Sequence, residues 1–274
     1  RWLSDWSSDV CSSDLGAQVF GEPDYLNAAV RAVNFISQSL QTKEGRLLHR
    51  FRQGQAAFEA NVDDYAFVVW ALLELYEATF ETKYLLKALE YQSHLSGYFR
   101  DEKGGGFFYT PADAEKLLMR PKELYDGAIP SGNSVAFLNA LRLSRITGDV
   151  EMDERAHEIY RAFCAPADSI PTAFTQFLCG LDYAIGPASE VIIAGILDHT
   201  DTQAMLMALR RRFVPNKIVI FRPDSSSADI ETIAPYVQSH LSINGLATAY
   251  VCTNFTCAQP THDPDLMMAL LDEQ

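Results

Sequence analysis

The chain repeats itself as helical hairpins. Displaced by about 68 residues, Leu73, Leu75, Thr79 and Ala88 fall on Leu141, Leu143, Thr147 and Ala156. A smaller displacement lays Tyr25, Leu26 and Ala29 on Tyr84, Leu85 and Ala88. Each unit reads as an inner, strongly apolar helix followed by an outer, amphipathic one. Such a hairpin cannot bury its apolar face alone, so it must stack on its neighbours. Helical spacing of apolar residues predicts helices over 24–40, 64–80, 83–97, 133–147, 151–163 and 171–183. The connections alternate in length. The turn at 79–83 is tight, whereas 41–62 and 98–130 are long and carry the strand-like runs 46–51 and 106–110. Long ordered loops inside a domain are usually functional. Both lead into inner helices, so they are expected to gather at one mouth of a helical toroid.

After Gly186-Pro187 the pattern changes. Apolar runs at 191–195, 217–221 and 248–252 alternate with helices over 202–213, 228–239 and 264–271. Strand–helix–strand order predicts a small parallel α/β unit. The fold expected is therefore mainly α: a partial (α/α) toroid over 16–186 and an α/β unit over 187–274. Residues 1–15 show neither helical nor strand period and look like translated adaptor sequence, so they are set apart as a non-native leader.

Composition narrows the function. A formal charge of −14 and a pI near 4.8 argue against nucleic acid and anionic membrane as partners. No apolar run approaches the length of a spanning helix. Five scattered cysteines are no disulfide scaffold, so a cytoplasmic protein is expected. Only one glycine follows the first strand of the α/β unit, so a dinucleotide fingerprint is missing, and no cofactor or metal is expected.

The candidate residues lie on the two long loops. Asp63, Asp64 and Tyr65 open one inner helix, and the run 125–134 opens the next. One of the two acids suffices to cap the helix, and the other would then face the mouth as a general acid, base or sugar ligand. Asp126 is a possible opposing carboxylate, since glycoside hydrolysis uses two such groups roughly 5–10 Å apart. Ser131 and Asn133 either cradle a ligand at a helix N-terminus or cap a structural turn. Arg50, Arg120 and Lys122 suit either an anionic ligand or salt bridges that close the loops. Tyr109 and Tyr125 are aromatic surface for the mouth, with Tyr65 beside the acids. His49 is the one histidine on a mouth loop; His94 and His157 belong to outer helices. Cys252 and Cys257 form C-x4-C after the last strand, readable as a redox pair, half a metal site, or a strand cysteine beside a loop cysteine. Cys164 and Cys179 are expected in the core, and Arg210, Arg211 and Arg212 suit a helix C-terminus.

Several stretches resemble a known family. They are 50–54 leading to Asp63-Asp64-Tyr65-Ala66, then 104–109, Arg120-Pro121-Lys122-Glu123, 125–134, 218–223 and 251–260. Together they are similar to the YyaL / spermatogenesis-associated protein 20 family over about residues 20–274. The resemblance implies the six-hairpin glycosidase type of (α/α) barrel, joined in the full-length chain to a thioredoxin-like domain outside this sequence. It implies no settled reaction, and kinship of fold does not assign chemistry. Two functions follow as expectations. In one, a sugar or related small molecule binds at the mouth, with Asp63, Asp64 and Asp126 in acid/base roles. In the other, the chain is a non-catalytic scaffold for the thioredoxin-like domain in redox or client binding.

Overall fold

The computed structural model describes residues 3–115 and 118–272, and of residues 3–9 and 11 the backbone only. The chain divides into two compact units, one of residues 1–141 and 151–181, the other of 142–150 and 182–274.

The helices are α1 (Leu3–Phe20), α2 (Pro23–Ser39), α3 (Val62–Thr79), α4 (Thr82–Tyr98), α5 (Gly132–Thr147), α6 (Val150–Ser169) and α7 (Thr175–Ile185). Between α2 and α3 lies a two-stranded hairpin, β1 (Leu48–Arg52) and β2 (Gln55–Glu59). Gln53 and Gly54 both have positive φ, the two-residue turn whose twist matches paired strands. The run 106–110 forms no strand beyond one bridge of Phe107 to Arg100. Residues 3–20 are helical although their sequence lacks a helical period. This helix packs on α2 and α3, so tertiary contact selects it.

The inner helix α3 is buried on nearly every face, which is why its sequence is apolar all round. It packs on α4 and α1. Asn139 of α5 donates to the Ala66 carbonyl of α3 at 2.8 Å, and Phe137 stacks on Phe177 of α7 at 5.0 Å. Tyr65, Tyr91, Phe99 and Phe107 complete the core below the loops. Cys179 is exposed and Cys164 half-buried, in contrast to the core placement expected of them. Both sit on the polar sides of their helices.

The second unit adds β3 (Ser189–Gly195), α8 (Thr200–Arg210), β4 (Lys217–Pro223), α9 (Ala228–Ile233), β5 (Thr248–Thr253), β6 (Thr256–Cys257) and α10 (Pro264–Asp272). The sheet order is β4-β3-β5-β6. Strands β3 and β4 are parallel, as the alternation predicts, and β3 is buried along its whole length. Strand β5 is antiparallel to β3, so the sheet is mixed rather than wholly parallel. Pro235 breaks the expected 228–239 helix into α9 and a 3-10 turn. The chain re-enters the sheet from the end at which β4 left it, since β4 is parallel and β5 antiparallel to β3. No helix among the described residues is long and apolar enough to cross a membrane.

Candidate functional site

The first turn of α3 organises the site. Asp64, 1% exposed, accepts the Asn61 backbone N–H at 2.8 Å and His49 Nδ1 at 2.7 Å, both on Oδ2. Its Oδ1 is buried with no hydrogen-bond partner among the described residues. An ionised carboxylate only accepts, so His49 carries its proton on Nδ1 and Nε2 is its basic nitrogen. The Asp64 hydrogen bond raises the His49 pKa, against the opposing effect of burial.

Asp63, the neighbouring residue, turns to α5. Its Oδ1 accepts the Gly132 N–H at 2.8 Å. Burial pushes its carboxyl up to about 6, with the charges of Glu123 and Asp64 adding to the rise and the Gly132 N–H and His49 opposing it. Position 132 must be glycine: a Cβ there would lie 2.3 Å from Asp63 Oδ1 and 2.9 Å from the Asp63 backbone nitrogen. Tyr109 closes the group. Its carbonyl accepts the Val62 N–H at 3.0 Å and its hydroxyl meets Asn61 Nδ2 at 3.3 Å. Burial, then the charges of Asp63, Glu123 and Asp64, push its phenol up to about 12, so it stays a proton donor at neutral pH.

The remaining candidates hold the loops. Asp126 is buried and uses both oxygens. Oδ1 accepts the Ser131 N–H at 2.9 Å, and Oδ2 accepts those of Gln176 and Phe177 at 2.9 and 3.1 Å. It thus caps α7 and folds its own loop, and it accepts from the backbone N–H next to the one that Asp63 accepts. Ser131 Oγ accepts the Ser134 N–H at 3.2 Å as the cap of α5. The fully buried Asn133 accepts the Phe107 N–H at 2.8 Å and donates to the carbonyls of Phe107 and Glu123 at 2.9 and 3.0 Å. Lys122 binds Asp101 and the Gly105 carbonyl, and Arg120 binds the Thr110 carbonyl and lies 4.3 Å over Phe108. Arg50 lies 4.6 Å over Phe58 with its Nε buried and unpartnered among the described residues. Tyr65 is a core residue whose hydroxyl accepts the Leu47 N–H. Tyr125 is exposed. A cavity of about 420 Å³ lies elsewhere, lined by Tyr160, Cys164, Asp168 and Phe177 among others.

Two members of the cluster were weakly signalled. No flanking pattern marks the charge of Glu123, in the Arg120–Glu123 stretch, as one that acts on Asp63. His49 was visible as a mouth-loop histidine, but its pairing with Asp64 spans fifteen positions. In the second unit Cys252 and Cys257 are joined in a disulfide, and His240 Nε2 stands 3.4 Å from Cys257 Sγ.

Asp63 has a stability consequence. Its carboxyl loses its proton near pH 6 when folded and near 3.8 when unfolded. Between those values the folded state binds more protons, so stability falls as pH rises, and the loss is complete above the folded value. Two-odd pH units at about 1.4 kcal/mol each come to about 3 kcal/mol. Asp63→Asn keeps the acceptor for Gly132 and removes the charge. It is expected to stabilise the protein by about 1–3 kcal/mol at pH 8 and to be neutral at pH 3.5, in paired denaturant titrations. Destabilisation at pH 8 would contradict the raised pKa.

No family model matches the chain. Spermatogenesis-associated protein 20 of Homo sapiens is 30% identical over 282 residues, covering 99% of this chain and 36% of that protein. The chain thus spans between 27% and 36% of the length of the curated relatives it matches. Among solved structures, a glycoside hydrolase family 76 mannosidase from Bacteroides thetaiotaomicron superposes with a TM-score of 0.51 at 17% identity, over 59% of this chain and 44% of that one. A cellobiose 2-epimerase from Spirochaeta thermophila gives 0.50 at 19%, over 61% and 44%. At such identities the similarity shows the fold alone: the helical hairpins are those of a six-hairpin α/α toroid. Matched along nearly its whole length at 30% identity, the chain belongs to the spermatogenesis-associated protein 20 family.

Proposed function

We propose that the cluster at the N-terminus of α3 binds a small polyhydroxylated molecule, a sugar or a related compound, and moves protons on it. The reading rests on one observation: a carboxyl with a pKa near 6 stands in the same helical turn as an acid that holds a histidine by Nδ1. Groups whose pKa values lie near the working pH make the best general acids and bases. Asp63 supplies the acid and His49 the base, while Asp64 orients the imidazole. Tyr109 donates a hydrogen bond to a ligand hydroxyl. The helix N-terminus favours the anionic form of either carboxylate as charge develops. Glu123 is the loop carboxylate whose charge reaches Asp63, whereas both oxygens of Asp126 are engaged by backbone N–H groups. A sugar is the first ligand class to test, because the mannosidase and the epimerase that share the fold act on sugars.

The test is a thermal-shift screen of free sugars and sugar phosphates, followed by turnover assays on any binder, since a ligand of the folded state raises the melting temperature. Asp63→Asn and His49→Gln are each expected to lower turnover about 10²–10⁴-fold while the chain stays folded. Full turnover in the double variant would sink the assignment.

A further inference from the structure

We propose that Cys252 and Cys257 form a thiol–disulfide exchange site, with Cys257 as the sulfur that meets a protein dithiol. The two cysteines face each other in register on β5 and β6, joined as a disulfide. Their environments differ in a way that gives exchange a direction. Cys252 is 1% exposed, whereas Cys257 is open to solvent. An incoming thiolate reaches Cys257 and not Cys252.

His240 completes the site. Its Nδ1 lies 3.1 Å from the Tyr236 carbonyl, which can only accept, so the ring proton sits on Nδ1. Nε2 therefore presents its lone pair 3.4 Å from Cys257 Sγ, where the thiol proton lies once the disulfide is reduced. The ring is packed edge-on against Tyr250 at 4.7 Å, which fixes that direction. Burial lowers the pKa of His240, which keeps the imidazole neutral with the Nε2 lone pair unprotonated. An imidazole so placed converts a thiol to the thiolate that exchanges.

The hairpin tip is held under load. Asn254 and Phe255 have φ of 50° and 60°, and phenylalanine rarely occupies that region. The buried Glu190 fixes it by accepting the Phe255 N–H at 3.1 Å and Arg145 at 2.9 Å, and Arg145 also binds Asn254 Oδ1 at 2.9 Å. A plain staple has less to recommend it, because a bridge across so short a loop removes little chain entropy.

The chemistry balances as follows. A thiolate of the dithiol attacks Cys257 Sγ, the Cys252–Cys257 bond breaks, and its electron pair leaves on Cys252, which takes a proton. The second thiolate of the dithiol attacks its own partner sulfur, breaks the mixed disulfide and returns an electron pair to Cys257. The dithiol loses two electrons and two protons, and the cysteine pair gains both. In the reverse direction His240 Nε2 removes the Cys257 proton before attack.

The experiment uses the whole chain. It is equilibrated with graded ratios of reduced and oxidised dithiothreitol, alkylated, and read peptide by peptide, with Cys164 and Cys179 as free-thiol references. The pair is expected to reduce reversibly as a two-electron couple with the fold intact by circular dichroism. In Cys252→Ser, oxidised glutathione is expected to form a mixed disulfide on Cys257. Adding His240→Ala, or the better-tolerated His240→Gln, is expected to slow the reaction of that thiol with Ellman's reagent about tenfold. Three results would overturn the proposal: reduction only on unfolding, no effect of either His240 variant, or stoichiometric zinc uptake by the reduced chain that blocks reoxidation. The last would make His240, Cys252 and Cys257, whose donor atoms lie within 4.8 Å of one another, a metal site instead.

Discussion

Asp126→Ala is expected to cost about 4 kcal/mol, because three backbone donors, two of them buried and one half-buried, lose their shared acceptor. In melting temperature that is roughly 8–16 °C for a domain of this size. The donors are the N–H groups of Ser131, Gln176 and Phe177, on two segments far apart in sequence. Asp126→Asn retains one acceptor and turns an NH₂ toward the N–H groups that remain, so it should recover less than half of the loss. The decisive comparison is with Asp63→Asn, which is expected to raise stability at pH 8 and to lose turnover. Thermal melts of the two variants separate a clamp from an acid. A melting temperature unchanged by Asp126→Ala would show that water or a neighbour replaces the carboxylate.

Asn133→Ala is expected to be as damaging, and Asn133→Asp worse. The amide satisfies one N–H and two carbonyls at a fully buried position. Alanine leaves all three unpaired, at about 1–3 kcal/mol each. Aspartate keeps the contact to the Phe107 N–H but sets a second oxygen against the carbonyls of Phe107 and Glu123, adding repulsion to desolvation. Denaturant titration of the two variants should rank them wild type, alanine, aspartate. The reverse order of the last two would mean that the aspartate is protonated in place.

The helices were legible because burial imposes a period. The apolar spacing of 24–40 and 83–97 matches α2 and α4 within a residue or two, and the continuous apolarity of 64–80 matches an inner helix buried on all sides. The direction of β5 was not legible, since a connection of that length permits either direction and tertiary packing decides. The acids show the same limit at a site. Asp63, Asp64 and Asp126 look alike in sequence as loop carboxylates before helices. What separates them is which backbone donors arrive from elsewhere: Gly132 for Asp63, Gln176 and Phe177 for Asp126. Residue type and spacing mark a carboxylate as poised for a helix end, and only the tertiary structure decides whether it is used up there. Tyr65 shows a related limit. Next to two acids it invites a role in binding, yet its position one residue further round α3 turns it into the core.

The loop that carries Tyr109, Lys122 and Glu123 is tied at many points. Asn133 grips it at Phe107 and Glu123, Lys122 pins it to Asp101 and Gly105, and Tyr109 bonds to Val62 and Pro121 through the backbone. At those points the loop is held in place. A ligand arriving at the α3 turn would meet groups already in position, so the ordering cost falls in folding and not in each encounter. Rapid-mixing traces should then show a single phase whose rate grows linearly with ligand concentration, without the plateau that a closing flap imposes.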